Sequence, residues 1–339
     1  MLYLHIGTHK TGTSALQAFL VNRAEALGAR GLHYVQAGLD GGNAHHALPW
    51  SIRGLYGGDA DVWENMRAEL AGLSDTNAVI STEGFWFADA ADAKAQLKGV
   101  RDIRIVMYLR RQDKYLQSLY KQAVTGGRKM DFEEWRSRHS DRGDYLAVVR
   151  QWADAFGPES IVLRPYERNG VRVDTTVDFH DLLGIDVADL LAQRKPRISN
   201  PSPRLELLEM FRAFNQQGID IPREKLFWAV MAGNPAYIRS ADILTYEQCV
   251  ALMEEFEDDN RVLAAEFHHD SSTPLFPDLK PFAPPQFWNW DTPEHFQLSS
   301  NFLAAVIEAL KPGEARSAAA NAKKNRVGRK NRQRAREAD

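Results

Sequence analysis

The 339 residues include one cysteine, Cys249. That excludes an intrachain disulfide and any cage of cysteine thiolates around a metal. No apolar run approaches the ~20 residues that a membrane-crossing helix needs. Nothing at the start reads as a secretory leader. In MLYLHIG the alternation of Leu2, Leu4 and Ile6 reads as a first strand, and a segment committed to a sheet cannot be cleaved away. The cytosol is therefore the expected compartment. A strong charge of one sign is missing too, the formal net charge being −3. That small value hides a division. Residues 311–339 hold ten Lys and Arg against three Asp and Glu, leaving 32 against 42 for the rest. The acidic body argues against a nucleic-acid groove on the core. The basic tail has almost no large apolar side chain and cannot bury enough surface to offset its ordering entropy. It reads as a mobile extension able to contact anionic partners.

What the chain does have is alternation. After the first strand, Leu16, Phe19, Leu20 and Leu27 follow helical spacing, with Gly28 as the stop. AVIST (78–82) is a second strand that leads into Glu83. IRIVMYL (103–109) is a third, followed at once by Arg110, and a helix runs from about Asp113 to Ala123. SIVLRPYE (160–167) is a fourth, before a helix with Val177, Phe179, Leu182 and Leu183. Strands that alternate with helices predict an α/β fold, a parallel central sheet flanked by helices. From about Pro196 the pattern is mostly helical, with amphipathic stretches in SPRLELLEMFRAFNQQG, at 245–267 and at 298–310. The expected organisation is one domain over 1–310, with a nucleotide-binding core at about 1–186, a helical part at about 196–310, and the tail at 311–339.

The loop after the first strand reads GTHKTGTS (7–14). It nearly spells the triphosphate-binding pattern G-x-x-x-x-G-K-S/T. Gly7, Gly12 and Ser14 fit that frame, but Thr13 stands where the lysine belongs, and Lys10 comes three places early. A glycine-containing turn into a helix N-terminus is an anion site in either case, because the first amides of the helix are unpaired and the dipole favours negative charge. Thr11, Thr13 and Ser14 add hydroxyls. The strand ends offer Glu83 and Arg110 rather than the aspartate that holds Mg²⁺ in triphosphate-using enzymes.

HIGTHKTGTSALQ resembles the 5′-phosphosulfate-binding loop of sulfotransferases that use 3′-phosphoadenosine 5′-phosphosulfate (PAPS). YLRRQDKYLQSLYKQ (108–122) resembles the same family's 3′-phosphate-binding segment, in which a strand-end Arg is followed eight residues later by a Ser; Arg110 and Ser118 have that spacing. Where the family often has Asn-Pro after the Arg, Arg111 and Gln112 stand here. The likeness covers roughly residues 1–186. It implies a P-loop-like fold and in-line transfer of a sulfuryl group from PAPS, as co-substrate, to an acceptor hydroxyl or amine, with no metal. Lys10 would stabilise the oxygen that leaves. Thr11, Gly12, Thr13 and Ser14 would hold the 5′-phosphate, and Arg110 with Ser118 the 3′-phosphate, assisted by Arg111, Gln112 and Lys114.

A base must take the acceptor's proton, and the family uses Glu in some members and His in others. Glu83 leaves a strand end beside Phe85, Trp86 and Phe87, whose desolvation is expected to raise its pKa. His46, in GGNAHHALPW, is the second candidate, because imidazole titrates near neutrality. His45 is open to the same reading or to a packing role. His5 lies within a strand, and His9 borders the loop. His268, His269 and Asp270 read as a solvated helix end, since adjacent residues on a helix face different ways. Two other classes fit parts of the chain: a kinase or triphosphatase with a degenerate loop, and a non-catalytic nucleotide- or nucleic-acid-binding protein.

Overall fold

The computed structural model describes residues 1–39, 42–55, 61–73, 76–100, 102–168, 171–193, 205–219, 242–268 and 274–282. The expected helix at 298–310, residues His269 and Asp270, and the basic tail lie outside them. The chain divides into two compact units.

The first unit holds the sheet. Its strands are β1 (Leu2–His5), β2 (Leu32–Tyr34), β3 (Asn77–Ser81), β4 (Ile103–Leu109) and β5 (Ile161–Pro165). They are parallel throughout, in the order β2-β3-β1-β4-β5. This is the α/β class that the alternation predicts. The three central strands are near-continuous apolar runs because helices bury both faces of a parallel sheet. Leu4, Ile80, Ile105, Val106 and Met107 are all fully buried. The sequence reading missed β2. Three residues are too few to show a period, and its strand character comes from pairing with β3.

Helix α1 (Thr13–Asn22) presents Leu16, Phe19 and Leu20 to one face of the sheet. There they meet Val79, Val106, Tyr108 and Phe179, the last from a later helix, Thr175–Leu182. Burying a side chain such as Phe179 stabilises the fold by about 1.5–3 kcal/mol. The helix Tyr145–Phe156 buries Trp152 completely and packs against β5. The predicted single helix at 245–267 is two, Tyr246–Glu254 and Glu257–Phe267. The break puts Glu257, Asp258 and Asp259 in a new first turn, where the dipole favours them. It also lets the Phe256 ring lie on Gly143, where any side chain would collide with it.

The second unit includes the last turns of the helix Gln112–Thr125 from Tyr120 onward, the helix Phe132–Ser137, and the helix Leu205–Gln217. Tyr120 meets Phe132 and Trp135 at centroid distances of 5.4 and 5.9 Å. Asn215 donates to the carbonyls of Val124 and Arg128, both at 2.8 Å. At Val124 it adds a second donor to a helix-end carbonyl that already accepts from the Gly127 amide at 3.0 Å.

In the first unit β1 lies at the middle of the sheet, and its end pairs with both neighbours: His5 sits opposite Ser81 and Val106. The backbone ladder continues beyond it, Ile6 N–H donating to Val106 O at 3.0 Å and Thr82 N–H to His5 O at 3.0 Å. The loop after β1, the Glu83 turn after β3 and Arg110 after β4 therefore emerge together at the carboxyl edge. That is where ligands of open α/β sheets bind.

Candidate functional site

The loop from Gly7 to Gly12 is shaped by two left-handed residues. Gly12, at φ 80°, precedes α1, and Lys10 has φ 67°. A left-handed conformation costs a non-glycine residue about 1–2 kcal/mol. The surrounding contacts must therefore impose it on Lys10. Thr11 Oγ1 donates to Thr8 O at 2.7 Å, and Thr175 Oγ1 donates to Thr11 O at 2.7 Å. The second of these ties the loop to the first turn of the helix Thr175–Leu182. A β-carbon at Gly12 would lie 2.6 Å from Thr175 Oγ1 and 3.5 Å from the Tyr166 ring. Gly12→Ala is thus expected to lower stability by about 1–2 kcal/mol through the backbone alone. Urea titration will measure it. Adding Thr175→Ala should recover only the part due to collision.

The hydroxyls of Thr11 and Thr13 turn to partners within the protein. Thr11 is committed to Thr8, and Thr13 Oγ1 donates to Glu83 Oε1. What remains for an anion is the backbone. The amides of Gly12, Thr13 and Ser14 donate to no acceptor among the described residues, and the Ser14 side chain is exposed.

Glu83 is buried, yet its carboxyl is held below its ordinary range. Burial, the largest influence, favours the neutral acid. The hydrogen bonds from Thr13, from its own backbone and from Gln17 (3.1 Å) outweigh it. The aromatic neighbours were expected to raise this pKa; the donors beneath the carboxylate reverse the sign. Gln17 was not singled out in the sequence, although its place one turn into α1 puts it on the same face as Thr13. His9 lies 3.9 Å from Glu83 Oε1 and stacks on Phe87. Burial holds its imidazole below its ordinary value, and Lys10, Arg142 and His46 add to that against the pull of Glu83.

His46 is half-buried, stacks on Trp50 at 5.1 Å, and has Nδ1 2.7 Å from Thr82 Oγ1. His45 is a packing residue. Its Nδ1 accepts from the Ser81 amide at 3.1 Å, which leaves Nε2 to donate to Val35 O at 2.6 Å, and burial brings its pKa down to about 4. His5 is fully buried with Nδ1 2.7 Å from Ser81 Oγ, and burial lowers it to about 4 as well.

Arg110 is 8% exposed. Its guanidinium lies 5.6 Å from the Tyr166 ring centroid and its Nε is 3.7 Å from Glu167 Oε1, too far for a hydrogen bond. That Nε has no hydrogen-bond partner among the described residues. Such an orphaned buried donor points to a ligand. Burial and the neighbouring Arg172 lower its pKa, with Glu167 opposing. Tyr166 therefore borders both the loop at Gly12 and Arg110. The two cations are within electrostatic range: burial is the main reason that Lys10 is depressed, and the Arg110 charge is the next. Ser118 is half-buried in the helix Gln112–Thr125, and its side chain makes no hydrogen bond among the described residues. Arg111 and Gln112 are committed elsewhere. Arg111 grips Asp113 at 2.7 and 3.0 Å and donates to Pro277 O, while Gln112 and Asn260 exchange hydrogen bonds. Lys114 lies over the Phe282 ring.

Lys10, Glu83, His9, His46 and Arg110 thus gather at one sheet edge, with Thr175, Tyr166, Arg142 and Arg172 added by the fold. Among the described residues no group of three or more His, Cys, Asp or Glu could hold a metal, and no helix is long and apolar enough to cross a membrane.

No family model matches the chain. An uncharacterized protein of Archaeoglobus fulgidus is 30% identical over 179 residues, which cover 50% of this chain and 46% of that protein. The chain therefore spans about half the length of the curated relative it matches. The crystal structure of a sulfotransferase from Alicyclobacillus acidocaldarius is similar at a TM-score of 0.38 and 18% identity, over 66% of this chain and 94% of that one. The architecture itself is α/β, with a parallel central sheet, flanking helices and a left-handed Gly12 before the first helix.

Proposed function

We propose that the protein is a sulfotransferase that moves a sulfuryl group from PAPS to a hydroxyl or amine of an acceptor, a carbohydrate or other small molecule. The observation that carries this reading is the pair of anion sites bordering Tyr166. On one side are the left-handed lysine and the open amides of α1, on the other the buried Arg110 with an orphaned Nε. A bisphosphorylated nucleoside has two such anionic ends. The free amides of Gly12, Thr13 and Ser14 suit the 5′-phosphate, with the exposed Ser14 hydroxyl beside them. The Arg110 guanidinium suits the ribose 3′-phosphate, with Ser118 from the following helix.

PAPS, when bound, supplies an activated sulfuryl group on a good leaving oxygen. The acceptor oxygen or nitrogen forms the new bond to sulfur as the bond to the bridging oxygen breaks, and that oxygen keeps the electron pair. Lys10 meets the charge that develops there. Glu83 receives the acceptor's proton. Its hydrogen bonds keep it ionised at neutral pH, so it is ready without prior deprotonation. His46 shapes the turn through Thr82, whose Oγ1 also accepts from the Gly84 amide.

Radiolabelled PAPS with an acceptor panel tests the reading; neither donor binding nor label transfer would end it. The pH profile assigns the base. With Glu83 in that role, kcat/KM holds from neutrality down through the ordinary carboxylate value of 4.5 and falls only below it, because the folded pKa is depressed. Glu83→Gln then lowers kcat by about 100-fold or more. An acid limb in the imidazole range of ~6.5 would move the assignment to a histidine.

A further inference from the structure

Phe87, at the end of the turn Glu83–Phe87, has two guanidiniums and an imidazole against its ring. Arg142 Cζ lies 4.5 Å from its ring centroid and Arg53 Cζ lies 5.9 Å away, while His9 stacks on the ring at 5.6 Å. Arg142 is half-buried in the turn Ser140–Gly143, and Arg53 is exposed just after the helix Ala47–Ile52. Neither guanidinium has a carboxylate partner among the described residues. Elsewhere in the molecule Arg30, Arg111, Arg150, Arg164 and Arg212 each have one. An anion bound beside this ring would be attracted by both charges. The cation–π contact to Phe87 is weak at exposed sites and does not replace a counter-ion.

The location is as informative as the charge. Phe87 and Glu83 belong to one short turn, and His9, stacked on Phe87, is 3.9 Å from Glu83 Oε1. Arg142 also acts on His9 electrostatically, which places its charge next to the loop. An acceptor whose reacting hydroxyl meets Glu83 would thus extend along His9 and Phe87 toward the two arginines. We propose that Arg142 and Arg53 select an acceptor that carries an anionic group, a carboxylate or a sulfate ester, on the sugar-sized unit that bears the reacting hydroxyl. This inference rests on the sulfotransferase reading for what happens at Glu83, but the anion site itself does not. The guanidinium fork pairs with planar carboxylate or ester oxygens, and a neutral polyol leaves both charges unpaired.

The test uses the whole protein saturated with adenosine 3′,5′-bisphosphate, so that the cations of the donor site are already occupied. Methyl β-glucuronide, methyl β-glucoside 6-sulfate and neutral methyl β-glucoside are titrated calorimetrically. The acidic glycosides are expected to bind about 100-fold more tightly than the neutral one, about 10-fold for a charge-assisted hydrogen bond to each arginine. The two acidic probes separate carboxylate from sulfate ester as the preferred group. Arg142→Gln and Arg53→Gln should each remove about 10-fold of the preference. Arg150→Gln, which deletes the same charge from a surface pair with Glu266, should not. Arg53, being exposed, supplies a variant that keeps the fold. Equal binding of all three glycosides, binding of none, or a preference that survives both substitutions overturns the proposal. If the nucleotide itself fails to bind, the donor reading falls, and the same titrations on the nucleotide-free protein still decide for or against the arginines.

Discussion

Lys10→Ala is expected to lower sulfuryl transfer by about 100-fold or more, the loss that follows removal of one preorganised charge-stabilising donor. The loss should fall on kcat more than on KM, because the charge on the leaving oxygen grows only as the bond breaks. Arginine at this position should not restore the rate, since a planar fork does not place its charge where the compact ammonium does. A glycine there separates chemistry from folding. Lys10 sits at φ 67°, which costs about 1–2 kcal/mol for a residue with a β-carbon. Lys10→Gly relieves that strain while adding about 0.5–1 kcal/mol of unfolded-state entropy. It should therefore be as inactive as the alanine variant and yet no less stable than the parent protein in urea. A glycine variant that unfolds readily would show that the lysine side chain is needed for the fold. The strain would then be incidental to the site.

Asp178→Ala is expected to destabilise the protein more than any substitution in the donor loop. The carboxylate is 3% exposed and accepts from Tyr108 at 2.7 Å, from Arg164 at 2.9 and 2.5 Å, and from Arg168. Burial opposes its ionisation, but these donors outweigh burial and hold its pKa below the ordinary value. The sign follows. A depressed acid contributes its full stability above the unfolded-state pKa of ~3.9 and loses it as pH falls through the folded value. Removing the carboxylate takes this acceptor from two guanidiniums and a buried phenol. Breaking a buried pair in this way costs about 3–5 kcal/mol. The lower end applies, because the Arg164 and Arg168 side chains keep 19% and 31% exposure and can be partly solvated. Asp178→Asn keeps the volume and one acceptor and should cost less. Chemical denaturation at pH 7 measures both. Asp178 lies on the helix that begins at Thr175, whose hydroxyl holds Thr11 O. The alanine variant should therefore also weaken donor binding without touching the donor.

Much of this was legible in the chain. The period switch after Ile6 marks a strand, a turn and a helix. GTHKTGTS marks a turn into a helix start, because its glycines and hydroxyl residues fall directly before the helical spacing begins. Arg110 was legible because a cation directly after an apolar strand belongs to the carboxyl edge. The elements that were missed are those with no periodicity of their own. Strand β2 exists by pairing with β3, and the interruption near Phe256 follows from the space that Gly143 leaves for its ring.

The site divides along the same line. The sequence by itself determined the parallel α/β class, the order of the chemistry-bearing segments and the residue types that reach the sheet edge. These follow from local spacing, which a helix or strand reads within a few residues. Only the tertiary structure decided which way the hydroxyls face, that Glu83 is held ionised rather than neutral, that Tyr166 borders both the Gly12 turn and Arg110, and that Arg53 and Arg142 both lie against Phe87. Each of these depends on partners far apart in the chain, as Thr13 is from Glu83 and Thr11 from Thr175. The state of a buried group is set by the donors and charges that surround it after folding, and the order of residues does not state what those will be.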